Sequence, residues 1–390
     1  GALVGRTVEA SGPLVVVDDP GRALLDLAAD ERGSMDATVV GVTGANGKTA
    51  TKDLTAAVLS AGFRVHASPA SFNNEIGLPL TMLGAPEGVE VVVAEMGARH
   101  PGDVALLCRV ARPRIVVVTN VGLAHMGIFG SWEAIVEASA EPVEALDGDG
   151  VAVLNADDPV VAALAGRTPA RVITFGEDPG AQVRAEGVRL NDAGCAGFDL
   201  VADGAREPVE LPVPGSHMVS NALAAAACGL ALGVSAADCA VALKGARISR
   251  WRMETFTTAG GIRVVNDAYN ANPESMAAGL RAARWMAREG RLVAVLGHMA
   301  ELGPVSLAEH ERLGELVVRL GVDRLVTVGE EARAIARAAI REGQLPEDVA
   351  SYDRPEDAAT DVRAWARAGD VVLVKGSRVA GLERVAEALA

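Results

Sequence analysis

A lysine and a threonine follow directly on a glycine turn in Thr43-Gly-Ala-Asn-Gly-Lys-Thr49. Gly44 and Gly47 let backbone N–H groups approach phosphate oxygens, with Asn46 between them. Lys48 supplies a cation, and Thr49 offers a hydroxyl to Mg²⁺ at the start of a helix. The usual P-loop asks for a glycine five positions before Gly47, where this chain has Val42, so the match is to the shorter Thr-Gly-x-x-Gly-Lys-Thr form. A plain glycine turn with an exposed lysine is the competing reading. The flanking grammar argues against it, because a β-branched run from Thr38 to Val42 precedes the turn and helix formers follow it.

Two further groups stand where chemistry is expected. Glu95 closes the strand-like run VVVAE, and Asn120 to His125 follow another such run in NVGLAH. A carboxylate there can bind Mg²⁺ directly or through water, and a histidine can bind metal or substrate. Taken singly, either could be an ordinary surface group; their common position at strand ends beside the phosphate loop favours a role in the site. His217 and Asn221, four apart in an alanine-rich helical stretch, fit either a helix cap plus a core amide or contacts to a nucleotide base. Lys375-Gly-Ser377 ends a late strand and again offers a cation and N–H groups to an anion.

The elements that position these groups alternate strand and helix from Thr38 onward. That pattern predicts an α/β protein with mostly parallel sheets covered on both faces and ligands at the carboxyl ends of the strands. Residues 1–32 hold one strand, Leu14 to Val17, and a helix around Arg22 to Ala29, too little for a domain. Residues 33–246 form a central unit whose 182–213 segment reads as antiparallel hairpins. A hinge is expected over Ala240 to Arg250, and residues 247–390 form a second doubly wound unit.

The chain has 390 residues, half of them apolar and few aromatic, so its cores must be built from Ala, Val and Leu. A formal net charge of -15 argues against wrapping nucleic acid or lying on an anionic membrane. Four scattered cysteines lack metal-ligand spacing and read as small core residues. Neither a basic-then-apolar leader nor a membrane-spanning run is visible, so a cytoplasmic location is expected. Oligomeric state is not legible.

TGANGKT, SFNNEIGLP, AEMG, NVGLAH, NADDP, DAYNANPESM, AELG and VLVKGSR occur in that order, and together they resemble the Mur ligase family over nearly the whole chain. DAYNANP and KGSR resemble the branch that adds D-alanyl-D-alanine. The resemblance implies a P-loop ATPase domain followed by a Rossmann-like domain. It also implies an ATP- and Mg²⁺-dependent ligase that joins a carboxylate, such as UDP-MurNAc-tripeptide, to D-Ala-D-Ala or a similar amine through an acyl phosphate. Lys48 and Thr49 would then hold ATP phosphates and Mg²⁺, Glu95 and His125 would sit at the metal and acyl-phosphate site, and Asn74 beside the phosphates. Asn221 would meet adenine, Arg252 the γ-phosphate and Asp267 the ribose, while Tyr269, Asn270, Asn272 and Lys375 would orient the amine.

Departures keep other readings open. Of the amino-terminal domain that grips the uridine nucleotide, only a last strand and helix are expected in residues 1–32. Ser139 stands where the family commonly has a lysine whose carbamate holds Mg²⁺, with Glu141 a candidate substitute and Pro142 expected to bend that helix. Met218 replaces an asparagine, and His298 an aspartate. A ligase of a specialised small-molecule pathway, or a nucleotide-binding relative without turnover, is thus the alternative.

Overall fold

The computed structural model describes residues 1–390. A short parallel pair, β1 (Ala2–Val4) and β2 (Leu14–Val16), leads into the helix Pro20–Ser34, which Asp19 caps by accepting from the Arg22 N–H. The helix is longer than expected from its apolar residues alone. Arg32, near its end, donates to the carbonyls of Ala111 at 2.8 Å and Met35 at 3.1 Å and so ties it to the central lobe.

The central sheet comprises β3 (Thr38–Thr43), β4 (Val65–Ala67), β5 (Val91–Glu95), β6 (Ile115–Val118), β7 (Val151–Asn155), β8 (Arg171–Gly176), β9 (Val183–Leu190), β10 (Cys195–Ala202) and β11 (Ala205–Pro214). Their spatial order is β11-β10-β9-β8-β7-β6-β3-β5-β4, parallel as far as β9 and antiparallel beyond it. β3 lies between β5 and β6, so successive connections leave it in opposite directions, and a crevice opens at its carboxyl end. Continuous Val runs in β3, β5 and β6 bury both faces, as a parallel sheet with helices above and below requires. The helices Lys48–Leu59 and Met218–Ala231 pack together on one side; alanines at 222 and 224–227 let them approach closely.

The second sheet holds β12 (Glu254–Thr257), β13 (Arg263–Asp267), β14 (Leu292–Gly297), β15 (Arg324–Val328), β16 (Val349–Tyr352) and β17 (Val371–Lys375) in the order β12-β13-β17-β14-β15-β16. All pairings are parallel except β12 with β13, which gives the doubly wound unit expected from the alternation. The link between the lobes is narrower than the sequence suggested. The helix Ala236–Lys244 is capped by Ser235 and anchored by buried Cys239 and Leu243, so it continues to Lys244, and the connection runs only from Gly245 to Met253.

Burial holds the thiols of Cys108 and Cys228 up at about 12 and that of Cys239 at about 11. These three cysteines are expected to be inert to a thiol-reactive disulfide reagent in the native chain and to react only on denaturation. Absorbance titration before and after denaturant checks this.

Candidate active site

The phosphate loop is held by the strand beside it. Ala45 N–H donates to the Asn120 carbonyl at 2.9 Å, Asn46 N–H donates to Asn120 Oδ1 at 2.8 Å, and Thr119 Oγ1 donates to the Asn46 carbonyl at 2.6 Å. Gly44 is required here: its φ is +128°, and a Cβ would lie 2.1 Å from Thr119 Oγ1. Asn155 donates to the Thr119 carbonyl at 2.7 Å, while Asp158 caps its own helix and accepts from Val121 N–H at 2.9 Å. NADDP thus braces the loop that carries His125.

At the mouth of this loop Lys48 Nζ donates to the carbonyls of Gly44 at 2.7 Å and Ala45 at 3.2 Å. Burial lowers its pKa, Glu95 opposes that shift, and Arg252 adds to it. Glu95 is 1% exposed. Its Oε2 accepts from Thr49 Oγ1 and its Oε1 from Asn73 Nδ2, each at 2.8 Å. Asn73, and not its neighbour Asn74, faces the carboxylate. Asn74, expected beside the phosphates, is exposed and caps the helix Gly77–Leu83 by accepting from Ile76 and Gly77.

Asn221 lies against the loop as well. Its Oδ1 accepts from Thr51 Oγ1 at 3.3 Å, and a Cβ on Gly47, whose φ is +79°, would come within 2.3 Å of it. It is thus a buried amide beneath the turn, with Met218 Sδ 3.5 Å from its Nδ2. His217 precedes the helix without capping it through its side chain and lies within Coulombic reach of Asp267 and Lys375.

The second lobe reaches the same place. Arg252 Nη2 donates to Ser71 Oγ at 2.9 Å, and Ser71 Oγ is 2.8 Å from Thr49 Oγ1. The guanidinium stacks on Tyr269 at 4.2 Å, and its Nε is buried without a partner. Asn272 Nδ2 donates to Asn46 Oδ1 at 2.8 Å, so a residue expected at the amine instead caps its helix and touches the phosphate loop. Lys375 is 2% exposed; it pairs with Asp267 at 2.5 Å and donates to the Asn270 carbonyl at 3.1 Å. These two groups, expected at the amine and the ribose, neutralise each other within the second lobe. The Asn270 residue itself is exposed.

His125, with φ of +60°, hydrogen-bonds Glu301 of the AELG segment, a partner that no local pattern reveals. Burial and Lys48 lower the His125 pKa against the opposing pull of Glu301. The Glu301 carbonyl accepts from Gly127 N–H at 2.9 Å, and Gly127 and Gly303 sit so close that a Cβ on either would clash. The loop bearing Glu301 is pinned by His310, whose Nε2 accepts from Met299 N–H at 2.9 Å while Nδ1 meets the Ser306 carbonyl at 2.7 Å.

Thr49 and Glu95 offer the hard oxygen donors that suit Mg²⁺ beside phosphates. A second cation near His125 is less well provided. Ser139 lines a cavity of about 50 Å³ with Lys48 and His125, but its hydroxyl donates to the Ile135 carbonyl at 2.8 Å and brings no charge. Glu141 does not substitute: it accepts from Gly102 and Ala105 N–H and caps the helix Asp103–Ala111. Pro142 lies in the last turn of the helix Trp132–Glu144 and falls within its run without breaking it. His298 accepts from Ser377 N–H through its carbonyl.

A phosphate loop, a buried carboxylate beside its threonine and an arginine arriving from another lobe define an α/β P-loop protein whose pocket is shared between two lobes. The Mur ligase middle domain matches residues 42–229 and the Mur ligase, glutamate ligase domain matches residues 251–378. The chain belongs to the Mur ligase family. It is 46% identical over 370 residues to the UDP-N-acetylmuramoyl-tripeptide--D-alanyl-D-alanine ligase of Mycobacterium tuberculosis, covering 90% of this chain and 72% of that protein. The crystal structure of MurF from Acinetobacter baumannii superposes with a TM-score of 0.88 at 30% identity, covering 100% of this chain and 84% of that one. MurF ligase from Thermotoga maritima in complex with ADP gives a TM-score of 0.86 at 30% identity, covering 99% and 87% respectively.

Burial lowers the His310 pKa below its ordinary value. The unfolded chain therefore binds the extra proton first, and the stability His310 contributes is present above about pH 6.5 and lost as pH falls through its lower folded value. Melting measured against pH should show this loss, and His310→Gln should shrink it. Ser139→Lys, with bicarbonate present, is expected to lower the Mg²⁺ concentration needed for half-maximal ATP turnover; an unchanged Mg²⁺ titration refutes the account of the cavity.

Proposed function

We propose that the chain is an ATP- and Mg²⁺-dependent, ADP-forming ligase that joins the terminal carboxylate of UDP-MurNAc-tripeptide to D-Ala-D-Ala. The observation that carries this reading is the path from Arg252 through Ser71 to Thr49, which brings a second-lobe cation to the phosphate loop. The names of the relatives above support the choice of substrates. The work is proposed to take place in the cytoplasm, where such nucleotides are made; no helix is long and apolar enough to cross a membrane.

In this reading a carboxylate oxygen attacks the γ-phosphorus of ATP, the bond to the bridging oxygen breaks, and ADP leaves. The amine then attacks the acyl carbon, loses a proton and expels phosphate. Thr49 and Glu95 would hold Mg²⁺, whose charge would neutralise the phosphate oxygens. Lys48 and the loop N–H groups hold the phosphates, and Arg252 offers its unpartnered Nε to the transferring group. Asn73 keeps the Glu95 carboxylate turned towards Thr49. The lobes meet over the site, which limits the water available to hydrolyse an acyl phosphate.

His217 is proposed to face the nucleoside, with Asn221 holding the phosphate turn from beneath, Asp267 near the ribose, and Tyr269 and Asn270 at the amine. Lys375 and Asn272 would support that side rather than contact it. Residues 1–32 are proposed to belong to the part of the fold that receives the uridine nucleotide. The missing charge at Ser139 favours a second reading, a ligase for a smaller acid in a dedicated pathway.

Phosphate release from MgATP separates these readings. Dependence on UDP-MurNAc-tripeptide together with D-Ala-D-Ala is expected, whereas release only with small acids selects the second, and no release with any pair removes both. Lys48→Ala should cut turnover by at least about 10³-fold, since it removes a phosphate-neutralising cation from the transition state.

A further inference from the structure

Lys52 lies one turn beyond the phosphate loop, 2% exposed, and no role in nucleotide chemistry falls to it. A buried ammonium needs a full set of acceptors, and the structure supplies them. Nζ donates to the carbonyls of Ser68 at 2.8 Å and Ala70 at 3.1 Å and pairs with Asp53 at 2.6 Å. Ala70 has a φ of +45°, an unfavourable conformation for a residue with a Cβ, and Lys52 holds its carbonyl there. The next residue is Ser71, the hydroxyl that meets both Thr49 and Arg252.

Asp53 continues the path in the other direction. Its free oxygen accepts from both the N–H and the hydroxyl of Ser249, each at 2.8 Å. Ser249 lies in the interlobe connection, three residues before Arg252. Between and just after them, Trp251 and Met253 have φ of +62° and +54°, so the connection is held in a conformation it would not keep unaided. The connection is therefore fastened twice to one patch of the central lobe, by Ser249 to Asp53 and by Arg252 to Ser71, and Lys52 is bonded to the supports of both.

We propose that Lys52 and Asp53 are positioning residues, a clamp that fixes the interlobe connection so that Arg252 arrives at the phosphate loop. The kinetic consequence rests on the ligase reading above; the geometric one does not. If Lys52 merely staples the 68–70 turn, Lys52→Met leaves the interlobe distance distribution unchanged while Ser249→Ala broadens it. If the pair is a clamp, Ser249→Ala and Lys52→Met act alike, and their effects are not additive.

The test uses the full chain. Spin labels on Glu87→Cys and Glu347→Cys, exposed sites on the two lobes, report the interlobe distance by pulsed electron resonance. Turnover is followed with MgATP, UDP-MurNAc-tripeptide and D-Ala-D-Ala. Ser249→Ala is expected to broaden the distance distribution and to lower kcat about tenfold, with KM for ATP changed less than about threefold, because closure and not nucleotide contact is lost. Lys52→Met should match it, and Lys52→Arg should recover most of both properties. A distance distribution unchanged by Ser249→Ala overturns the proposal whatever the kinetics, as does unchanged turnover beside a broadened distribution. If Lys52→Met fails to fold, Asp53→Asn, which removes the charge that holds both Lys52 and Ser249, takes its place and must broaden the distribution as Ser249→Ala does. If the parent chain turns over no substrate, the ligase reading fails, and the distance distribution by itself decides the clamp.

Discussion

A carboxylate sealed from water between two β-strands governs the arrangement around it. Glu95 ends β5 with 1% of its surface exposed, and an ionised group so placed survives only with fixed donors and a nearby cation. Thr49 and Asn73 are the donors, and Lys48 is the cation whose proton Glu95 helps to retain. Removing one partner of such a buried charge typically costs about 3–5 kcal/mol. That magnitude is comparable with the whole stability of many domains, so the glycine turn, the SFNN segment and the end of β5 cannot drift independently. The parallel sheet matters to function chiefly because it delivers these three segments to one crevice.

The second lobe meets that crevice through short, directional contacts and little apolar surface. Arg252 touches the Ser71 segment of the central lobe, Asn272 the phosphate loop, and Glu274 and Glu301 the loop after β6 at Leu123 and His125. Polar contacts of this kind exchange with water at small net cost, which suits surfaces that must part to admit substrate and meet again. The buried apolar clusters, by contrast, belong to one lobe or the other, and across the gap half-buried Val213 of β11 packs on the second lobe's core. Strength lies within the lobes and precision between them.

Much of this was legible in the residues. The β-branched runs of β3, β5 and β6 and the glycine turn identified the parallel sheet and its crevice, because buried parallel strands and phosphate loops both restrict composition heavily. Short edge strands escaped notice: β4 is three residues long and β16 four, and neither VHA nor VASY alternates or persists enough to show. Partners across the cleft were also hidden. That Asn73 rather than Asn74 faces Glu95 depends on which side of a turn each amide falls. That Lys375 spends its charge on Asp267 depends on parallel pairing of β13 with β17, more than a hundred residues apart. Glu141 looked free to bind metal because nothing local reveals that the amino end of another helix lies over it.

The far edge of the central sheet carries a separate consequence. β11 reads Ala-Arg-Glu-Pro-Val-Glu-Leu-Pro-Val-Pro, with charged side chains on its outward positions and prolines that lack an amide proton. An open ladder is ordinarily a template for another chain, and this one is poor at that task. The opposite border, β4, offers only three residues. Both margins of a nine-stranded sheet are thereby blunted, and concentrated solutions of the chain gain resistance to fibrous self-association from residues remote from the nucleotide.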